Sequence, residues 1–114
     1  MPHFWRPPVG CTLYERPDGA GQSWDRRIGL YGRRRNSDGE IHRSDGTLHR
    51  YVAGKVSSVK CDWISGKTEC DAVLFGLPGN TGLMESISGK SGIVNLPAHL
   101  NDKVFSIYIQ CKVF

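Results

Sequence analysis

The chain repeats itself, and the repeat restricts what it can fold into. Tyr14-Glu15-Arg16-Pro17-Asp18-Gly19-Ala20-Gly21 puts a glycine seven positions after an aromatic residue, and Phe75-Gly76-Leu77-Pro78-Gly79-Asn80-Thr81-Gly82 does the same with Pro and Gly at matching places. Such stretches open strand-turn-strand units, because Pro presets one turn dihedral and Gly tolerates the positive φ of another. Each copy is followed by a second matching stretch, Val56–Lys60 and Val104–Tyr108. Two rounds of opening and closing in 114 residues imply two related β-units sharing one core. Fourteen glycines and the absence of long helical periodicity favour short strands joined by turns.

This arrangement resembles the βγ-crystallin family, whose domain is a pair of Greek-key motifs. The resemblance rests on the two aromatic-to-glycine hairpins and on the stretches Ala53-Gly54-Lys55-Val56-Ser57-Ser58 and Asn101-Asp102-Lys103-Val104-Phe105-Ser106, which stand where the family carries N/D-N/D-x-x-S/T-S. It implies an all-β double Greek-key sandwich over residues 10–113, with motif one at 10–63 and motif two at 68–113. Residues 1–9 read as an extended, Pro-rich arm without the apolar core of a signal peptide. The family usually has an aromatic at the Gly19 position. Gly19 and Asn80 stand there instead, so both hairpins are expected to be looser.

In the Greek key that the resemblance implies, the fourth strand lies antiparallel beside the first. If Cys11 faces Cys61, the same register carries Cys70 opposite Cys111, giving two of the bridges that four cysteines permit. Four buried free thiols are the alternative. No C-x-x-C pair favours zinc. Bridged cysteines point to secretion, and no stretch approaches the roughly 18 apolar residues of a membrane span.

Motif one is the longer. Gly21 to Ser58 spans 37 positions, Gly82 to Ser106 only 24, so 13 extra residues fall within 26–50. Asp45-Gly46 inside Ile41–Arg50 suits a type I′ turn, which predicts an inserted β-hairpin pairing Ser44 with Thr47 and His42 with His49. The same segment holds Arg26, Arg27, Arg33, Arg34, Arg35, Arg43 and Arg50 against Asp38, Glu40 and Asp45, a net +4 that equals the charge of the whole chain. A lobe so polarised attracts anionic lipid, acidic glycan or phosphate, and arginine favours bidentate contact. Arg33, Arg34, Arg35, Arg43 and Arg50 are the expected contacts with an anionic cell surface or a target protein. No recognised nucleic-acid module is present.

Calcium enters through the resemblance. Family sites combine a hydroxyl from the S/T position with N/D side chains, ligands being shared between motifs, and hard oxygens suit Ca²⁺. Here Ser57, Asn101 and Asp102 could form one weak site, while Gly54 and Phe105 abolish the other. No cofactor is otherwise required. A nucleophile-base pair on a recognisable frame is lacking, and His99 near Asp102 belongs more naturally to the loop before the last strand. The expectation is a monomeric, secreted, non-enzymatic binding protein of antimicrobial, toxin-like or effector-like character. Its rivals are a weak calcium-binding structural or stress protein and a proteinase inhibitor presenting residues 27–36.

Overall fold

The computed structural model describes residues 7–30 and 38–114. Among the described residues nine strands follow in order: β1 (Val9–Tyr14), β2 (Ser23–Ile28), β3 (Glu40–Thr47), β4 (Ser58–Cys61), β5 (Trp63–Ile64), β6 (Thr68–Leu77), β7 (Thr81–Ser88), β8 (Ile93–Asn95) and β9 (Ser106–Val113). They form two antiparallel sheets, β2-β1-β4-β8 and β3-β9-β6-β7, with the two-residue β5 beside the start of β6. The third strand of each motif crosses to the sheet of the other, so neither motif completes a sheet alone. Val9 belongs to β1 and pairs with Ile28, one residue inside the expected arm.

Alternation along the strands builds the core. Leu13, Val59, Leu74, Ile107 and Ile109 turn inward and are buried, as their patterning predicts. Trp24 is only partly buried, and Ile93 lies outside the core at 46% exposure. Ile93 packs over Gly19 instead. A Cβ on Gly19 would lie 2.9 Å from Ile93 Cδ1 and 3.6 Å from Tyr14 Cζ, so these two side chains fill the space of the missing family aromatic.

A buried serine clasps each hairpin. The buried Ser58 hydroxyl accepts from the Gly19 amide at 3.0 Å and donates to the Arg16 carbonyl at 2.6 Å. Ser106 repeats this with the Asn80 amide at 2.9 Å and the Leu77 carbonyl at 2.6 Å. A second clasp comes from the crossed strands: the Asp18 amide donates to Asn95 Oδ1 at the end of β8, and the Gly79 amide donates to Thr47 Oγ1 at the end of β3. Asp18 and Gly19, then Gly79 and Asn80, all take positive φ, which the turn demands and which Gly, Asn and Asp tolerate best.

The bridges are Cys11–Cys61 and Cys70–Cys111, each joining the first and fourth strands of one motif at directly paired positions and each buried in the core. The inserted hairpin over 41–50 is corrected by the structure. Asp45-Gly46 does not turn: Glu40 to Thr47 is one strand, paired residue for residue with Val113 to Ser106. A type I′ turn needs positive φ at both central residues, and Asp45 lacks it. The long outer edge of β9 offers eight successive backbone partners, which outcompete a local turn. His42 consequently pairs with Cys111 rather than His49, and is buried with Nε2 3.2 Å from Glu40 Oε2.

Candidate functional site

Two equivalent loops precede the fourth strands, and their backbones match bond for bond. The Gly54 amide donates to the Val104 carbonyl, and the Asp102 amide to the Val56 carbonyl; the Ser57 amide donates to Tyr14, and the Phe105 amide to Phe75. Gly54 and Asp102 both have positive φ, 76° and 57°. The crossing bonds bring the loops of the two motifs face to face, so the side chains at 54 and 105, and those at 57 and 102, become neighbours.

The two pairs differ chemically. Ser57 Oγ donates to Asp102 Oδ1 at 3.1 Å, linking the hydroxyl of one motif to the carboxylate of the other. Ser57 is 5% exposed, fixed by its own amide and by the Leu96 amide on its carbonyl, while Asp102 is open to solvent. At the other pair, a Cβ on Gly54 would lie 3.4 Å from Phe105 Cζ, so an aromatic ring covers the place where polar ligands would meet. Asn101 lies exposed beside Asp102 and its amide is spent on the Pro97 carbonyl. The donors thus offer one carboxylate, one hydroxyl and nearby carbonyls, hard oxygens but little negative charge. Among the described residues no group of three or more His, Cys, Asp or Glu side chains could hold a metal ion.

The arginines separate into two groups. Arg27 is taken into the fold: its guanidinium reaches Asp62 Oδ2 at 2.5 Å, Thr12 Oγ1 at 2.7 Å and Asp25 Oδ1 at 3.3 Å. Partial burial works against its charge, but Asp62 and then Asp25 outweigh this and hold its pKa above the ordinary value. Arg26 Nη2 donates to the Asp45 carbonyl, tying the edge strand of one sheet to that of the other. Arg43 and Arg50 remain exposed. Arg43 Nε rests on Gln110 Oε1 at 3.1 Å, while Arg50 lies 5.1 Å from the Tyr51 ring centroid and donates to its hydroxyl. Arg33, Arg34 and Arg35 lie outside the described residues, as does most of the 27–36 loop; Arg27 and Ile28 themselves are in β2, and Leu30 is buried.

Sequence reasoning missed the cluster that follows β3. Tyr51 is 61% exposed, with His49 stacked on it at 4.7 Å and Arg50 beside it. Its amide donates to His49 Nδ1, and the turn is closed by the Val52 and Ala53 amides on the His49 carbonyl. The run His49-Arg50-Tyr51 is the available signal, masked by the Asp45-Gly46 turn pattern that pairs His49 with His42. His99 approaches Glu85 at 3.9 Å, whereas Asp102 bonds Ser57, so these two do not form a base and its orienter.

No protein-family model and no curated protein matches the sequence. Solved structures do match. A βγ-crystallin domain from Flavobacterium johnsoniae aligns with a TM-score of 0.58 at 20% identity, covering 87% of this chain and 91% of its own. The N-terminal domain of protein S aligns at 0.60 and 16% identity, over 89% and 94%. A structure concerning the evolution of the eye-lens βγ-crystallin domain fold aligns at 0.55 and 16%, over 93% and 89%. Together with the crossed third strands and the serine-clasped hairpins, these likenesses establish that the chain has the βγ-crystallin fold.

Proposed function

We propose that this protein is a non-enzymatic binding scaffold that works outside the cell and contacts an anionic surface through the arginine-rich stretch of motif one. The observation that carries this reading is the division among its arginines. Arg26 and Arg27 hold the sandwich together, whereas Arg43 and Arg50 stay exposed, Arg50 on an exposed aromatic ring. Arg33, Arg34 and Arg35 enter the reading from sequence alone. Two bridges buried in the core suit an oxidising compartment, and no helix is long and apolar enough to cross a membrane among the described residues. In Arg43→Glu/Arg50→Glu, co-sedimentation with anionic liposomes or cell walls should fall sharply at low salt while the melting temperature is kept. Unchanged binding would refute the reading.

A calcium-binding role is the second reading, favoured by the contact between Ser57 and Asp102 at 3.1 Å. These two residues would hold the ion with loop carbonyls, and a single carboxylate makes the site weak. With calcium at about 100 times Kd, binding to the native state adds about 2.7 kcal/mol. A melting temperature that rises from EDTA to millimolar calcium, and no longer does so in Asp102→Ala, is the expected result; an equal rise in both variants would remove Asp102 from the site. The inhibitor reading is weaker, since Arg27 is held in β2 by Asp62.

A further inference from the structure

The end of the sandwich away from both hairpins, where β1 and β6 begin and β4 and β9 end, holds a half-open cavity of about 430 Å³. That volume falls in the range of small-molecule sites. The linker between the motifs forms part of its wall. Gly66 takes a φ of 74°, the Lys67 amide donates to the Ile64 carbonyl at 2.9 Å, and the Phe114 amide donates to the Lys67 carbonyl at 2.9 Å. The rim is therefore pinned by backbone bonds rather than left to side chains.

Two kinds of group line it. Leu30, Val113, Trp63 and Phe114 contribute apolar surface, the first two buried in the core. Asp62, Lys60 and Lys67 contribute charge. The Asp62 carboxylate is already matched, accepting from Arg27 at 2.5 Å and from the Gly10 amide at 3.2 Å. Lys60 and Lys67 are exposed, and among the described residues neither ammonium has a hydrogen-bond or ion-pair partner. An apolar cavity with two unmatched cations selects for a ligand that carries both features in reverse. A neutral amphiphile would gain only the apolar contact, and a cationic one would be repelled.

We propose that this cavity binds a small amphiphilic anion: one carboxylate on a compact aliphatic or aromatic body, the body against Leu30, Val113, Trp63 and Phe114, the head group at Lys60 and Lys67. Arg43, Arg50, Ser57 and Asp102 are not among the residues that line this site. Titration calorimetry at low salt with octanoate, octanol and octylamine tests it. Octanoate should bind at least tenfold more tightly than octanol, and octylamine should bind most weakly. In Lys60→Gln/Lys67→Gln the preference of octanoate over octanol should disappear, with octanol unchanged; in Trp63→Ala both should weaken. Both lysines are exposed, so a melt of the double variant matching the parent verifies its fold. Equal affinities for the three ligands, no binding by any of them, or octanoate binding that is lost in Arg43→Glu/Arg50→Glu instead would each overturn the proposal.

Discussion

Ser58→Ala and Ser106→Ala should be the most destabilising conservative polar changes in the chain, and nearly equal in effect. Each hydroxyl is fully buried, accepts one hairpin amide and donates to one hairpin carbonyl. Truncation removes two hydrogen bonds and leaves a partly buried donor and acceptor without partners. Unpaired buried groups cost about 1–3 kcal/mol each, and part of that is recovered where water reaches the hairpin, so about 2–4 kcal/mol per variant is expected. For a domain of this size that corresponds to a fall in melting temperature of roughly 10–20 °C. Chemical denaturation with constant m-value is the direct assay. Because the two clasps sit on different sheets, the double variant should add within about 0.5 kcal/mol. Ser86→Ala, on the exposed face of β7, serves as control. If both variants lie within about 0.5 kcal/mol of the parent, the usual scatter of surface substitutions, the clasp does not hold the hairpins and the reasoning fails.

Other perturbations follow from the same geometry. Gly54→Asp/Phe105→Ser should recreate at the second loop pair what Ser57 and Asp102 make at the first, since Asp tolerates the positive φ there. Calcium should then stabilise the variant more than the parent in a thermal melt, and an identical response would show that the loops do not bind the ion as a pair. Removing either bridge as a double alanine variant should cost about 4 kcal/mol by the loop-entropy model. The two should be nearly equal because the bridged residues are 50 and 41 apart; a cost-free loss of one pair would contradict this. Asp62→Ala should destabilise by about 1–2 kcal/mol, discounted for partial exposure, as Arg27 and the Gly10 amide lose their partner. Arg27 has a raised folded-state pKa, so its contribution is complete below its ordinary value and is lost only in strong alkali. The penalty should therefore stay level from about pH 6 to about pH 10 in melts of both proteins.

Much of the fold was legible because it rests on local, repeated signals. The Pro-Gly hairpins, the alternation of Leu13, Val59, Leu74, Ile107 and Ile109, and the register of the four cysteines are properties of short stretches that the topology only has to bring together. Within the Greek key that the resemblance implies, Cys11 facing Cys61 carries Cys70 opposite Cys111 by the equivalent register, and the structure pairs them so.

What only the tertiary structure decided depends on competition between distant segments. Asp45-Gly46 carries a turn signal, yet β9 offers a strand edge from the other motif and the chain extends instead. Crossing to the other sheet places Ile93 over Gly19, a contact that no local pattern announces. The arginines look alike in sequence; Asp62 and Asp45, distant along the chain, separate those that hold the sandwich from those left on its surface. The Ser57–Asp102 contact and the cavity between the linker and the last strand likewise exist only where the motifs meet. Sequence alone determined which pieces this protein is made from, because turn chemistry and side-chain alternation act within a few residues. Which faces remain free to bind was decided by the crossing of the third strands, because the neighbours of an exposed side chain are set by segments from the opposite motif.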